Sequence, residues 1–77
     1  MKVTINYFGM ITDITKRDQE AMETSVDTIS ELVGQLETNY PDLKHKNFQI
    51  AQGGRIVDKQ NNLSGEEIAL LPPFAGG

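Results

Sequence analysis

The segment Leu70-Leu71-Pro72-Pro73-Phe74-Ala75-Gly76-Gly77 holds the one pattern in the chain with an evident chemical use. Chain ends commonly fray and carry polar residues, whereas this one is apolar up to its final carboxyl group. Pro72 and Pro73 have no amide donors, so they end sheet pairing and keep the backbone extended. Gly76 and Gly77 add a stretch without side chains that fits a narrow channel and presents an unhindered carboxylate. Phe74 stands where an anchor would precede that channel. A carboxylate is a poor electrophile, but transfer to ATP makes a mixed anhydride with AMP as leaving group. A sulfur nucleophile on a partner then displaces AMP and leaves a C-terminal thiocarboxylate, which can donate sulfur. The chain has no cysteine, no P-loop spacing and no metal-ligand pattern, so the activating machinery is expected on a partner. A terminal Gly-Gly alone is better explained as a loose end. Its place directly after a strand, two prolines and an aromatic points to carboxyl chemistry.

Several elements must hold that segment. Lys2 to Gly9 alternates, with Val3, Ile5 and Tyr7 on one side and Lys2, Thr4 and Asn6 on the other, which predicts a half-buried strand. Gly9 and the polar run Thr12 to Asp18 predict a turn or loop. A second strand is expected over Glu20 to Val26, pairing with the first as a hairpin, with Met22 and Val26 on one face. Thr28-Ile29-Ser30-Glu31 has the spacing of a capping box, and Ile29, Leu32, Val33 and Leu36 form a stripe that Tyr40 extends. The helix is predicted over Thr28 to Thr38, with Pro41 stopping it near Tyr40. Gly34 inside it faces solvent or permits a close approach. Asn47 to Gln52 reads as a strand, Gly53-Gly54 as a tight turn, and Arg55 to Val57 as the return. Leu63 is expected to tuck beneath a polar connection, and Glu67 to Leu71 forms the last strand.

The order β-β-α-β-β-β implies an α+β mixed sheet of four to five strands covered by one main helix, the β-grasp layout. The helix is expected to cross over between parallel strands. All 77 residues read as a single domain, with 72–77 as a projecting tail. A net charge of −4 and scattered lysines and arginines exclude the usual basic face of a nucleic-acid binder. No apolar run approaches a membrane span, and no signal-peptide core is visible, so the cytoplasm is the expected location.

The ending Pro72-Pro73-Phe74-Ala75-Gly76-Gly77 resembles that of the small subunit of molybdopterin synthase, a ubiquitin-like sulfur carrier. Val3-x-Ile5-x-Tyr7-Phe8-Gly9, Thr28-x-x-Glu31-Leu32 with Leu36 and Pro41, and Gly65-Glu66-Glu67-Ile68-Ala69 extend the resemblance over the chain. It implies a ubiquitin-like β-grasp fold and adenylation of Gly77 by an E1-like enzyme that consumes ATP. It further implies sulfuration from a sulfur donor protein and insertion of the tail into a large synthase subunit. There the thiocarboxylate would supply sulfur to cyclic pyranopterin monophosphate for the molybdopterin dithiolene, in an assembly of two small and two large subunits. The chain would bind no cofactor and be non-catalytic alone, the sulfur-donating subunit of a sulfurtransferase complex. Departures from the family pattern are Ile11-Thr12-Asp13 after strand one, Ala51-Gln52 before the central turn, and Gly65-Glu66. None touches the proposed chemistry.

Gly77 and Gly76 are therefore the reacting candidates, with Phe8, Leu71, Pro73, Phe74 and Ala75 as partner-binding candidates. Phe8, Leu71 and Phe74 would form an apolar docking patch, against the alternative that Phe8 or Leu71 packs under a loop. Arg55 would add a charge to that surface or be a solvated turn residue. His45, flanked by Lys44 and Lys46, reads as solvated. Glu66-Glu67 fits a basic partner or a wet loop, and Tyr40 a contact at the helix end. Asp13, Asp18, Glu20 and Glu23 lack a metal-loop pattern. Three other functions stay open: a sulfur carrier of thiamine synthesis, a ubiquitin-like modifier that forms isopeptide bonds, and a non-catalytic β-grasp interaction module.

Overall fold

The computed structural model describes residues 1–73. Its strands are β1 (Lys2–Tyr7), β2 (Gln19–Glu23), β3 (Gln49–Gln52), β4 (Arg55–Val57) and β5 (Ile68–Leu71). A short helix α1 (Met10–Thr15), a long helix α2 (Ile29–Asn39) and a 3-10 turn over Pro41–His45 complete the order. The five strands form one mixed sheet in the order β2-β1-β5-β3-β4. β1 and β5 lie parallel at its centre, each with an antiparallel neighbour, β2 on one side and β3 on the other. β2 and β3 therefore run the same way, and α2 crosses over between them as expected. This is the ubiquitin-like β-grasp architecture.

Alternation decides which side of the sheet is covered. Val3, Ile5 and Tyr7 of β1, Ile68 and Leu70 of β5, and Ile50 of β3 are all buried. They meet the α2 stripe of Ile29, Leu32, Val33 and Leu36, and Leu43 and Leu63 close the core from the connections. Each such side chain contributes about 1.5–3 kcal/mol of burial. The capping box is present: the Glu31 amide donates to Thr28 Oγ1 at 3.2 Å, and the Thr28 amide to Glu31 Oε1 at 3.1 Å. Gly53 and Gly54, with φ of +59° and +83°, make the predicted tight turn between β3 and β4.

Three expectations need correction. The stretch expected as a loop after β1 holds α1, because Ile11 and Thr15 lie one turn apart and both are buried. Thr15 Oγ1 donates to the Arg17 carbonyl at 2.9 Å, and Lys16 closes the helix at φ 63°. β2 ends at Glu23 and not at Val26: the Thr24 backbone still bonds to Met1, at 2.9 Å in each direction, and its side chain donates to Gln35 Oε1 of α2 at 2.7 Å, where the chain turns toward the helix. Val26 still packs against the core, but from a connection. β3 begins at Gln49 rather than Asn47, and β5 at Ile68 rather than Glu67. Gly34 faces solvent, since a methyl group there would meet nothing within 4 Å.

Candidate functional site

The parallel pairing of β1 with β5 places Tyr7 opposite Leu70. One residue further along both strands come Phe8 and Leu71, followed by Gly9 and Pro72, where the chain leaves the sheet. This is the root of the tail. Phe8 is 47% exposed rather than tucked under the following loop, Leu71 and Pro72 are half-buried, and Pro73 is exposed. Phe74, Ala75, Gly76 and Gly77 lie outside the described residues.

Gly9 is the tightest point of the root. Its φ of 60° and ψ of −137° mirror the polyproline conformation, a region closed to L side chains. A methyl group there would fall 2.5 Å from Pro72 Cγ, so the glycine backbone is pressed directly against the proline ring. α1 holds this conformation from the far side. The Gly9 carbonyl accepts from the Thr12 amide at 3.1 Å and from Thr12 Oγ1 at 2.8 Å.

Beneath Gly9 the end of β1 is fixed by a polar cluster. Tyr7 and Tyr40 both donate their hydroxyls to Glu20 Oε1, at 2.5 Å and 2.7 Å, and their rings meet edge to face at 6.3 Å. Arg17 lies 3.6 Å from the other Glu20 oxygen. Burial first, then the hydrogen bond to Glu20 and its charge, push the Tyr7 phenol far above its ordinary range. The same causes raise Tyr40. Both phenols therefore remain protonated donors, and the carboxylate ties β1, β2 and the end of α2 together. Tyr40 is thus the helix-end contact that the sequence favoured.

Other candidates fall elsewhere. Arg55 pairs with Gln52, which pairs with Ile68, so Arg55 stands at the opposite end of β5 from the root. It is exposed directly after the Gly53-Gly54 turn, which fits the solvated turn residue rather than a charge on the tail surface. Glu67 accepts from Asn6 Nδ2 at 2.8 Å, and Glu66 accepts from Ser64 Oγ at 2.9 Å, both in exposed positions. His45 is exposed in the 3-10 turn. Gln49, which pairs with Leu71, buries its Oε1 without a partner among the described residues. One surface hollow is lined by Met22, Glu23, Gln35, Thr38 and Asn39, another by Thr28, Ser30, Lys59 and Gln60, and neither includes a root residue. Among the described residues there is no group of three His, Asp or Glu side chains placed to hold a metal, and no helix long and apolar enough to cross a membrane.

Sequence reasoning missed Gly9 and Glu20. Gly9 carried a signal, a glycine directly after a strand, but its partner lies 63 positions away. Glu20 carried none, because an isolated acidic residue in a strand edge looks solvated.

Known proteins were compared with this arrangement. Residues 5–77 match the ThiS family, a span that includes both sides of the root and the tail. A putative molybdopterin converting factor, subunit 1, from Pyrococcus furiosus superposes with a TM-score of 0.87 at 21% identity, over 95% of this chain and 98% of that one. SAMP1 from Haloferax volcanii gives a TM-score of 0.81 at 17% identity, with both chains fully covered. Subunit 1 and 2 of the molybdopterin-converting factor from Helicobacter pylori, solved as a complex, supply a match at 27% identity, a TM-score of 0.70 and full coverage of both chains. The first two likenesses are of fold alone.

Proposed function

The chain belongs to the ThiS family of small β-grasp sulfur carriers, and from that premise we propose that it carries sulfur on the carboxylate of Gly77. The observation that supports this most is the geometry of the root: the central strand of the sheet ends at Leu71, and Pro72 and Pro73, which lack amide donors, end its pairing directly before the Phe74–Gly77 sequence. A partner enzyme adenylates Gly77, with pyrophosphate leaving ATP. Hydrosulfide supplied by a partner then forms the acyl–sulfur bond as the bond to AMP breaks, leaving the thiocarboxylate; its sulfur bonds to an acceptor, and water cleaves the acyl–sulfur bond to restore the carboxylate. Phe8, Leu71, Pro73, Phe74 and Ala75 guide the docking of partners around this tail.

The family match favours a ThiS-type carrier of thiamine synthesis over the molybdopterin-specific assignment that Pro72-Pro73 suggested. The molybdopterin acceptor remains as the second reading, supported by the proline pair and by the Helicobacter pylori subunit matched over its full length. In that reading a large synthase subunit takes up the tail. A modifier would share the adenylate but pass the Gly77 acyl group to lysine amines.

Intact mass with C-terminal fragmentation tests the proposal. After incubation with ATP, a sulfur source and the host's E1-like enzyme, oxygen-to-sulfur exchange is expected at Gly77 alone. Deleting Gly77 should abolish the exchange and leave the melting temperature nearly unchanged, since a projecting tail buries little. An enzyme proven active on a known carrier that leaves Gly77 unchanged would refute the carrier role. Loss of the thiocarboxylate on adding thiazole-forming or molybdopterin-forming proteins separates the two acceptors.

A further inference from the structure

We propose that Gly9 is a positioning residue for the tail: its bare backbone is the seat that Pro72 rests on, and so it aims Gly77 at the activating site. The proposal rests on the carrier reading above. Three observations carry it. Gly9 adopts a conformation closed to L side chains, with φ 60° and ψ −137°. Its α-carbon is so close to the Pro72 ring that a methyl group would fall 2.5 Å from Cγ. Both of its flanks are held, by Tyr7 bonded to Glu20 on one side and by α1 on the other.

A seat of this kind matters because it fixes where, and in which direction, Pro72 takes the chain out of the sheet toward Gly77. Adenylation needs a Gly77 carboxylate oxygen in line with the α-phosphorus of ATP. The oxygen–phosphorus bond forms as the bond to pyrophosphate breaks, with no change in oxidation state. Errors of about 1 Å in such alignments cost up to about 100-fold in rate. A pyrrolidine ring has little freedom to yield, so a side chain at position 9 moves the root and not only itself. Leu71 is held independently by its pairing with Gln49 of β3, so this part of the docking surface keeps its place.

The test is carrier-dependent ATP–pyrophosphate exchange by the host's E1-like enzyme, measured with the full chain at saturating ATP. Gly9→Ala should lower kcat about 10- to 100-fold while the KM for the carrier stays within about twofold. Pro72→Ala removes the ring atom that the methyl meets. Alone it should lower kcat about threefold, but in the Gly9→Ala background it should raise kcat, a reversal of sign that general destabilisation does not produce. Melting curves identify any variant unfolded at the assay temperature. Should Gly9→Ala be one, Pro72→Ala alone decides, and an unchanged kcat in it overturns the proposal. A folded Gly9→Ala protein with kcat within about twofold of the parent, or loss without rescue by Pro72→Ala, overturns it equally. Failure of the parent chain to drive exchange, with an enzyme active on another carrier, would instead remove the carrier reading and this proposal with it.

Discussion

At the leading end of β5, Gly53 (φ +59°) lies against the carboxylate of Glu66, and at the trailing end Gly9 (φ +60°) lies against the ring of Pro72. The backbone device is the same, but the partners differ. The three atoms nearest to a methyl group at Gly53 belong to the Glu66 carboxylate, the free end of a flexible side chain held by Ser64 Oγ at 2.9 Å. The three nearest at Gly9 belong to a proline ring fused to the main chain. The leading end is a soft contact that adjusts by rotation about side-chain bonds. The trailing end is a hard one, where adjustment means moving the backbone that carries the tail. The fold therefore places the stiffer of the two contacts where the chain leaves the sheet toward its C-terminal residues.

The largest effect tests whether β5 itself, rather than its ends, is held by the core. Leu70 is fully buried beside Tyr7 and Ile50. Leu70→Ala should lower the unfolding free energy by about 2–5 kcal/mol in urea titrations. A loss below about 1 kcal/mol would mean that the end contacts, not the core, fix the strand.

The next effect separates hard from soft directly. Gly9→Ala should cost about 2–3 kcal/mol, from a forbidden backbone region plus displacement of Pro72, whereas Gly53→Ala should cost about 1 kcal/mol, from backbone strain with Glu66 swinging aside. Adding Glu66→Ala to Gly53→Ala should change little further. Equal losses at the two glycines, read from the same urea curves, would show that backbone strain decides and that the partner does not matter.

A smaller effect loosens the support under the hard end. Tyr7→Phe removes one of two phenol donors from Glu20 and should cost about 1–2 kcal/mol. The sign of its pH dependence follows from the raised phenol. A folded-state pKa above the unfolded value of 10.0 gives stability that is whole below pH 10 and is lost as pH rises past it. The urea midpoint of the parent should therefore fall between pH 8 and about pH 11, and fall less in Tyr7→Phe. Parallel declines in the two proteins would show that Tyr7 is not the group responsible.

What was legible in advance follows the same division between local and distant causes. The capping box at Thr28, the Ile29–Leu36 stripe, the Gly53-Gly54 turn and the burial of Leu63 each follow from residues close in sequence, and the structure bears them out. The crossover of α2 between strands that run the same way also followed from the sequence, whereas the place of each strand within the sheet did not. α1 escaped because six residues, three of them polar or acidic, show too little of a 3.6-residue period to separate from a loop. The end of β2 escaped because the Thr24 side chain is engaged by a helix residue 11 positions away, a contact with no local signal. At the root, Pro72-Pro73 announced where the chain leaves the sheet. Neither the Gly9 seat nor the Tyr7–Glu20–Tyr40 support was readable, since each is assembled by the sheet from residues far apart in the chain.

The smallest effect supplies the control that the comparison requires, a glycine with neither device. Gly34 lies within α2, has no positive φ, and would place a methyl group in open space. Its only distinction is the freedom it loses on entering a helix, so Gly34→Ala should raise stability by about 0.5–1 kcal/mol in the same urea titrations. The kcat of ATP–pyrophosphate exchange should not change, because α2 touches neither Gly9 nor Pro72 through this position. The three glycines would then order themselves by what their missing side chain would meet: a ring, a carboxylate, or water. A loss at Gly34 as large as that at Gly53 would instead mean that glycine substitutions in this small core are felt through the whole helix–sheet packing, and hardness at the root would need a different measure.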